Sequence, residues 1–328
     1  MGMKLDLVDK RLLNAIQTRF PLAAKPFSEI GERLDIAEGE AMRRVERLRE
    51  GGIIRSIRAI FNSRSLGYRS TLVAMQVAPE HLDEVADVIS RHPGVSHNYA
   101  RHHLYNLWFV LTIPQTWNLG DEVERLARAT KAGAVITLPT LRTFKIRVYW
   151  DLLEDTLRAD QGSPHPIAQE EAIVLTNSEI EAIRALQGDL PMTAEPFHEL
   201  AKRFGMDAEP LLELARSFVE RGIMRRYSAI LDHYRVGFNA NAMGCWIVPQ
   251  PLVDQVGREI ASFSRVSHVY ERVATKDWPY NMFAMIHGSS REECEGLTKK
   301  ISEHTGVWGY SLLHSVKEYK KQGIRYFV

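Results

Sequence analysis

The residues of this chain best suited to chemistry lie between Ser96 and Thr112, in the stretch SHNYARHHLYNLWFVLT. Its first ten residues hold three histidines, an arginine and two tyrosines, and the stretch then turns apolar. Imidazoles titrate near neutral pH and move protons, arginine binds anions through a planar fork of donors, and tyrosine offers a flat ring with a hydroxyl. Read as an extended segment with period two, His97, Tyr99 and Arg101 share one face. Residues 106–112 then form a second, largely buried strand, and the hairpin carries a polar, titratable tip.

The elements that position this hairpin occur twice. GGIIRSIRAIFNSRSLGY (51–68) aligns without gaps on RGIMRRYSAILDHYRVGF (221–238), and VSHNYAR (95–101) returns as VSHVYER (266–272). Tyr105 and Asn106 return as Tyr280 and Asn281 after a four-residue insertion around Lys276 to Pro279. The chain is therefore two versions of one unit, and His268, Tyr270 and Arg272 repeat the first face. Between the units, DQGSPHPIAQ reads as a linker.

Each unit reads as three short helices and a wing, then a βαββαβ module. In the first, apolar positions Leu5, Val8, Leu12, Leu13 and Ile16 mark a helix over 6–19, Ser28 opens a second, and a third runs over 37–50 to Gly51-Gly52. Residues 53–62 read as a strand pair or wing. Strand 70–77, helix 82–91, the hairpin 95–101 and 106–113, helix 119–130 and a closing strand 143–149 complete the unit. The expected fold is α+β, two tandem copies of a winged helix-turn-helix and a ferredoxin-like βαββαβ domain. The boundaries are 1–64 and 65–153 for the first copy, 154–172 for the linker, and 173–235 and 236–328 for the second. The βαββαβ sheets, each with a free face, are expected to pack together as a pseudo-dimer, with further homo-oligomerisation left open.

Composition sets outer limits. The 328 residues are 45% apolar and 25% charged with a formal net charge of +1, so a binding surface for a charged partner has to be local. Cys245 and Cys294 stand apart, without the spacing of a zinc site or a disulfide framework, which fits a reducing cytoplasm. There is no export signal and no run of 18 apolar residues, so no membrane partner is expected.

A winged helix followed by a βαββαβ module resembles the Lrp/AsnC family of transcription regulators. Its DNA-binding role fits poorly, because helix 37–50 sets Glu38, Glu40, Glu46 and Glu50 against Arg43, Arg44, Arg47 and Arg49, and its copy sets Asp207, Glu209, Glu213 and Glu220 against Arg216. No specific DNA partner is expected. HNYARHHLYNLWF and YERVATKDWPYNMFAMIHG are more similar to the two subunits of siroheme decarboxylase, here fused; LPTLRTFKIRVYW (138–150) and LLHSVKEYKKQGIRYF (312–327) look like that family's closing strands. In that alignment His314 stands opposite Arg142.

The resemblance implies removal of carboxyl groups from the two acetates at C12 and C18 of siroheme, on the route to haem d1 or to haem b by the alternative pathway. It implies His97, His103, His268 and His287 as catalytic candidates, and Tyr99, Arg101, Tyr105, Asn106, Arg142, Lys145, Tyr270, Arg272, Lys276, Trp278 and Tyr280 as substrate-binding ones. Trp108, Arg147, Lys317 and Lys320 are further candidates. The tetrapyrrole is its own electron sink, so no added cofactor is required. One of the histidines could instead ligate the siroheme iron, which the residues leave open. A DNA-binding regulator and a haem-responsive sensor stand as the alternative functions.

Overall fold

The computed structural model describes residues 3–146, 148–154, 156–159, 172–232 and 240–328, with backbone alone at 148–150 and 156–159. The first half runs α1 (Leu7–Thr18), α2 (Pro26–Leu34), α3 (Glu38–Glu50), β1 (Ile54–Phe61), β2 (Tyr68–Met75), α4 (Leu82–Arg91), β3 (Val95–Arg101), β4 (Leu107–Pro114), α5 (Leu119–Thr130) and β5 (Val135–Lys145). A hairpin of β6 (Val148–Asp151) and β7 (Thr156–Ala159) follows. The second half repeats the plan as α6 (Asn177–Leu186), α7 (Pro196–Arg203), α8 (Ala208–Glu220), β8 (Met224–Leu231), β9 (Ala240–Trp246), α9 (Val253–Ser262), β10 (Val266–Arg272), β11 (Met282–Gly288), α10 (Arg291–Thr305) and β12 (Tyr310–Lys321). Most of the expected linker, residues 155 and 160–171, lies outside the described residues, and its residues 156–159 form β7.

Local chemistry explains the helix ends. Asp6 caps α1 in a reciprocal box with Asp9. The second helix begins at Pro26 instead of Ser28, because proline at the first helical position has a preset φ and no N–H to leave unpaired. Residues 53–62 do not fold back as their own wing. Their eight-residue strand contains no Gly, Pro, Asn or Asp, and β1 pairs antiparallel with β8 of the other half. The two helical triplets consequently share one core, with Phe20, Phe27, Phe197, Phe218 and Tyr227 at its centre.

In each βαββαβ unit the first strand lies between the third and the last. The closing strands do more than expected, and they differ from the 143–149 reading. β5 starts at Val135; its residues 135–139 pair with β2, and its residues 140–145 pair with β10 of the second half. β12 mirrors this, with 310–314 on β9 and 315–321 on β3. Pro139 sits at the changeover, where a residue without an N–H is tolerated; its carbonyl accepts from Val273 N at 3.1 Å. Eight strands thereby close a barrel in the order β10-β11-β9-β12-β3-β4-β2-β5. α4 and α5 cover one outer face, and α9 and α10 the other. The two free sheet faces meet inside the barrel, around Leu72, Ala74, Trp108, Leu138, Trp278 and Phe283.

Long cations on the exchanged strands brace the halves. Lys145 Nζ donates to Ala261 O at 2.9 Å and Phe263 O at 3.0 Å, at the end of α9; Lys320 Nζ donates to Ser90 O at 2.6 Å and His92 O at 3.1 Å, at the end of α4. A cation is favoured there because the last carbonyls of a helix lack partners and carry its negative dipole end. Arg142 meets Asp254 at 3.2 Å as Lys317 meets Asp83 at 2.9 Å. Lys317 is therefore the counterpart of Arg142, and His314 falls opposite Pro139, which corrects the alignment above by three residues. Among the described residues no helix is long and apolar enough to cross a membrane.

Replacing Lys145 by Met strands two helix-end carbonyls under cover, and we expect a stability loss of about 1–3 kcal/mol. Urea unfolding checks it: an unchanged midpoint would show that the brace contributes nothing.

Candidate active site

The active-site candidates grow from a repeated irregularity. The ladders of β3 and β10 shift register after Val95 and Val266, so Ser96 and Ser267 sit at bulges beside His97 and His268. Both serines are buried, and their hydroxyls lie 2.9 Å from His97 Nδ1 and 2.8 Å from His268 Nδ1. Beyond each bulge the side chains alternate inward. His97 stacks on Tyr99 with centroids 6.4 Å apart, and His268 on Tyr270 at 6.1 Å. Arg101 lies 5.5 Å over the Tyr99 ring and Arg272 lies 4.9 Å over the Tyr270 ring. The expected shared faces are thus present in both halves, as His–Tyr–Arg ladders.

Each arginine reaches across to the other half's closing strand. Arg101 Nη1 donates to Leu313 O at 3.0 Å and Ser315 Oγ at 3.1 Å; Arg272 Nη1 donates to Leu138 O at 2.8 Å and Thr140 Oγ1 at 2.9 Å. Arg272 is 8% exposed, its Nε has no hydrogen-bond partner, and among the described residues no carboxylate pairs with it. Burial lowers its pKa to about 10.

The histidine ends of the ladders lie near enough to feel the charges of β1 and β8, His97 those of Arg55 and Arg58 and His268 that of Arg226, and His97 also feels His268. Burial, then the charges of Lys321, His268, Arg58 and Arg55, lowers the His97 pKa to about 3. Burial, then Lys321, Lys145 and Arg226, lowers that of His268 to about 4. Both imidazoles are neutral at physiological pH. Burial also brings Lys321 down to about 8. The nearby carboxylates are already engaged, Glu318 by the Tyr99 hydroxyl at 3.2 Å and by Arg55 at 3.0 Å, and Asp232 by Arg55 at 3.0 Å. Ser315 and Glu318 also line a cleft of about 410 Å³ with Ala240, Asn241, Arg291, His314 and Val316, beside the β12–β3 seam.

Other candidates lie elsewhere. Tyr105, Trp108, Trp278 and Tyr280 gather at the hairpin tips, with Trp278 5.1 Å from Trp108 and 5.0 Å from Tyr280. His103 is exposed at that end, its ring 5.2 Å from Trp278, and partial desolvation lowers its pKa. Asn106 pins its hairpin through Val77 N at 2.9 Å and Val77 O at 2.8 Å, as Asn281 does through Val248. Lys276 is exposed at the second tip. Arg142, Lys145, Lys317 and Lys320 serve the outer braces and do not join the ladders. His287 lies behind His268, its Nε2 2.7 Å from Ser267 Oγ. Arg147 lies outside the described residues.

Sequence reasoning missed Ser96, Ser267, Arg55, Arg58, Lys321 and Glu318. The serines stand inside the repeated VSH motif and the arginines inside the first repeated tract, so the repeat carried a signal; Glu318 and Lys321 gave none without the strand exchange. Among the described residues no three His, Cys, Asp or Glu side chains converge as a metal site. The ladders present neutral imidazoles, cations and aromatic faces, which suit a flat molecule with several carboxylates and a reaction needing a proton.

Comparison with known proteins agrees with this architecture. An "AsnC-like ligand binding domain" model matches residues 65–145 and 235–320, and a "Siroheme decarboxylase NirDL-like HTH domain" model matches 9–55 and 179–225. The siroheme decarboxylase of Hydrogenobacter thermophilus is 40% identical over 100% of this chain and 96% of its own length. The siroheme decarboxylase beta subunit of Oleidesulfovibrio alaskensis is 38% identical over 48% of this chain and 99% of its own. A crystal structure of the siroheme decarboxylase NirDL with an iron-uroporphyrin III analogue superposes with a TM-score of 0.74, at 37% identity over 98% of this chain and 94% of that one. With its doubled winged-helix and AsnC-like halves, the chain belongs to the siroheme decarboxylase family.

Proposed function

We propose that this chain decarboxylates siroheme, removing the carboxyl groups of the acetates at C12 and C18 to leave methyl groups. The observation that carries the reading is the pair of His–Tyr–Arg ladders converging under the wing sheet, amid more cations than carboxylates, in a member of this family. Arg101, Arg272, Lys321 and Arg58 form the field that draws the substrate carboxylates in, and Tyr99 and Tyr270 offer ring faces to the macrocycle. As the bond to carbon dioxide breaks, its electron pair enters the conjugated ring, so no further cofactor is called for. One proton per acetate must then reach the exocyclic carbon.

His97 and His268 are the proton donors in this scheme. Their depressed pKa values keep them neutral in the free protein, and a bound carboxylate reverses that by favouring the imidazolium. The substrate thus charges the acid that attacks it. With both cysteines unpaired, we place the reaction in the cytoplasm. We propose no role on duplex DNA: Arg44 and Arg47 of α3 are bound to Asp9 at 2.8 and 2.5 Å, and Arg43 to Glu40 at 2.7 Å. Selection from random duplexes should return no enriched motif; one bound at nanomolar affinity would refute this.

Incubated with siroheme without oxygen, the protein should yield a product lighter by two carboxyl groups in mass spectrometry. Unchanged siroheme would refute the assignment. His97→Ala and His268→Ala should each cost on the order of 10²-fold or more in turnover, by unequal factors, with fold retained. His103→Ala, at the far end of the barrel, should cost less than roughly tenfold.

The same histidines set the acid limit of stability. Folded His97 and His268 bind protons less readily than the unfolded chain, so stability is intact above pH of about 6.5 and falls as pH drops towards about 4 and 3. A His97→Gln variant should flatten that part of the curve in thermal melts. Parallel curves for the two proteins would show that His97 is not buried neutral.

A further inference from the structure

The two ladders differ behind their histidines. In the second half Ser267 Oγ lies 2.8 Å from His268 Nδ1 and 2.7 Å from His287 Nε2, so one hydroxyl, on a buried residue, touches both rings. In the first half Ser96 Oγ lies 2.9 Å from His97 Nδ1, but Thr112 takes the place of His287. The backbone fixes that equivalence: Thr112 N donates to Gly94 O at 2.8 Å as His287 N donates to Arg265 O at 3.0 Å, each beside its bulge. Thr112 spends its hydroxyl on Ser70 Oγ at 2.6 Å.

A serine hydroxyl carries one proton, so between two rings it donates to one and accepts from the other. If His287 Nε2 bears a proton and gives it to Ser267 Oγ, the hydroxyl proton points at His268 Nδ1 and the remaining proton of His268 sits on Nε2. If the direction reverses, His268 Nε2 is bare. The two arrangements interconvert by moving one proton along each link, which is the requirement for a proton wire. Both rings are half-buried; one end of the wire is His268, in the ladder, and the other is His287, near the end of β11.

We propose that Ser267 and His287 relay protons to His268, so that resupply of the acid runs through the second half alone. This rests on the decarboxylase reading above. In the step, a carboxylate bound beside His268 draws the Ser267 hydroxyl proton onto Nδ1, Ser267 takes that of His287 Nε2, and a proton from solvent restores His287, so that His268 is charged. The bond from the acetate methylene to its carboxylate then breaks, carbon dioxide leaves, and the electron pair forms a C–H bond with the proton of His268 Nε2. Ser267 and His287 are positioning residues, since they act only through His268.

Steady-state turnover of siroheme by the full chain tests the relay. Ser267→Ala should lower kcat by roughly 10- to 100-fold with KM within about twofold, and Ser267→Thr, which keeps the hydroxyl, should recover most of the loss. His287→Ala should fall similarly and regain activity with added imidazole, whereas Thr112→Val should stay within about twofold of the parent. A Ser267→Ala protein with parental kcat overturns the relay. If that variant fails to fold, His287→Ala decides: restoration by imidazole supports the relay, and a loss that imidazole does not repair overturns it. An inactive parent protein would instead overturn the decarboxylase reading itself.

Discussion

Everything in this molecule depends on two strands that are too long for their own sheets. β5 has 11 residues and β12 has 12, and in each roughly half pairs at home while the rest pairs in the other half. A sheet edge left with unpaired N–H and C=O groups is unstable and adhesive, and mutual overhang removes both edges at once. The closed barrel forces the inner faces of the two sheets to oppose each other. That opposition sets His97 against His268 and lays Arg101 and Arg272 across the strands that hold the halves together.

Electrostatics follows from this closure. The arginines are buried where the exchanged strands change partners, and they answer to carbonyls and hydroxyls. Arg272 has no carboxylate against it among the described residues; such a buried guanidinium is costly, and the cost falls when an anion arrives. The depressed pKa values of the histidines and of Lys321 have the same origin, so a single ligand with several carboxylates relieves them together. The polyanion preference proposed above is thus a property of the barrel as a whole.

The helices and the His–Tyr–Arg faces were legible because each is a local pattern: a period of 3.6 or 2, a cap, or a repeated motif. The helices over 82–91 and 119–130 and the strands over 95–101 and 266–272 sit where the local pattern placed them. What was not legible involves pairing between distant segments. Nothing within LPTLRTFK says that its second half belongs to another sheet, so Arg142 and Lys145 read as substrate-binding cations when they brace α9. Likewise β1 read as a wing because its partner lies in the other repeat. The bulges that aim Ser96 and Ser267 depend on register, which the repeat duplicates without revealing.

The strand exchange also bears on how the chain can fold. β1 waits for β8, whose residues lie about 170 positions later, and the outer part of β5 waits for β10, so many native contacts span long loops. While the ribosome is still making the second half, the first stands with an open edge and its inner His97–Tyr99–Arg101 face in water. Separate chains would close such a barrel only on collision, at a rate set by their concentration; one covalent chain makes the closure first order. Fusion therefore shortens the time for which two adhesive edges are exposed, and that interval governs how much of the nascent protein is lost to aggregation.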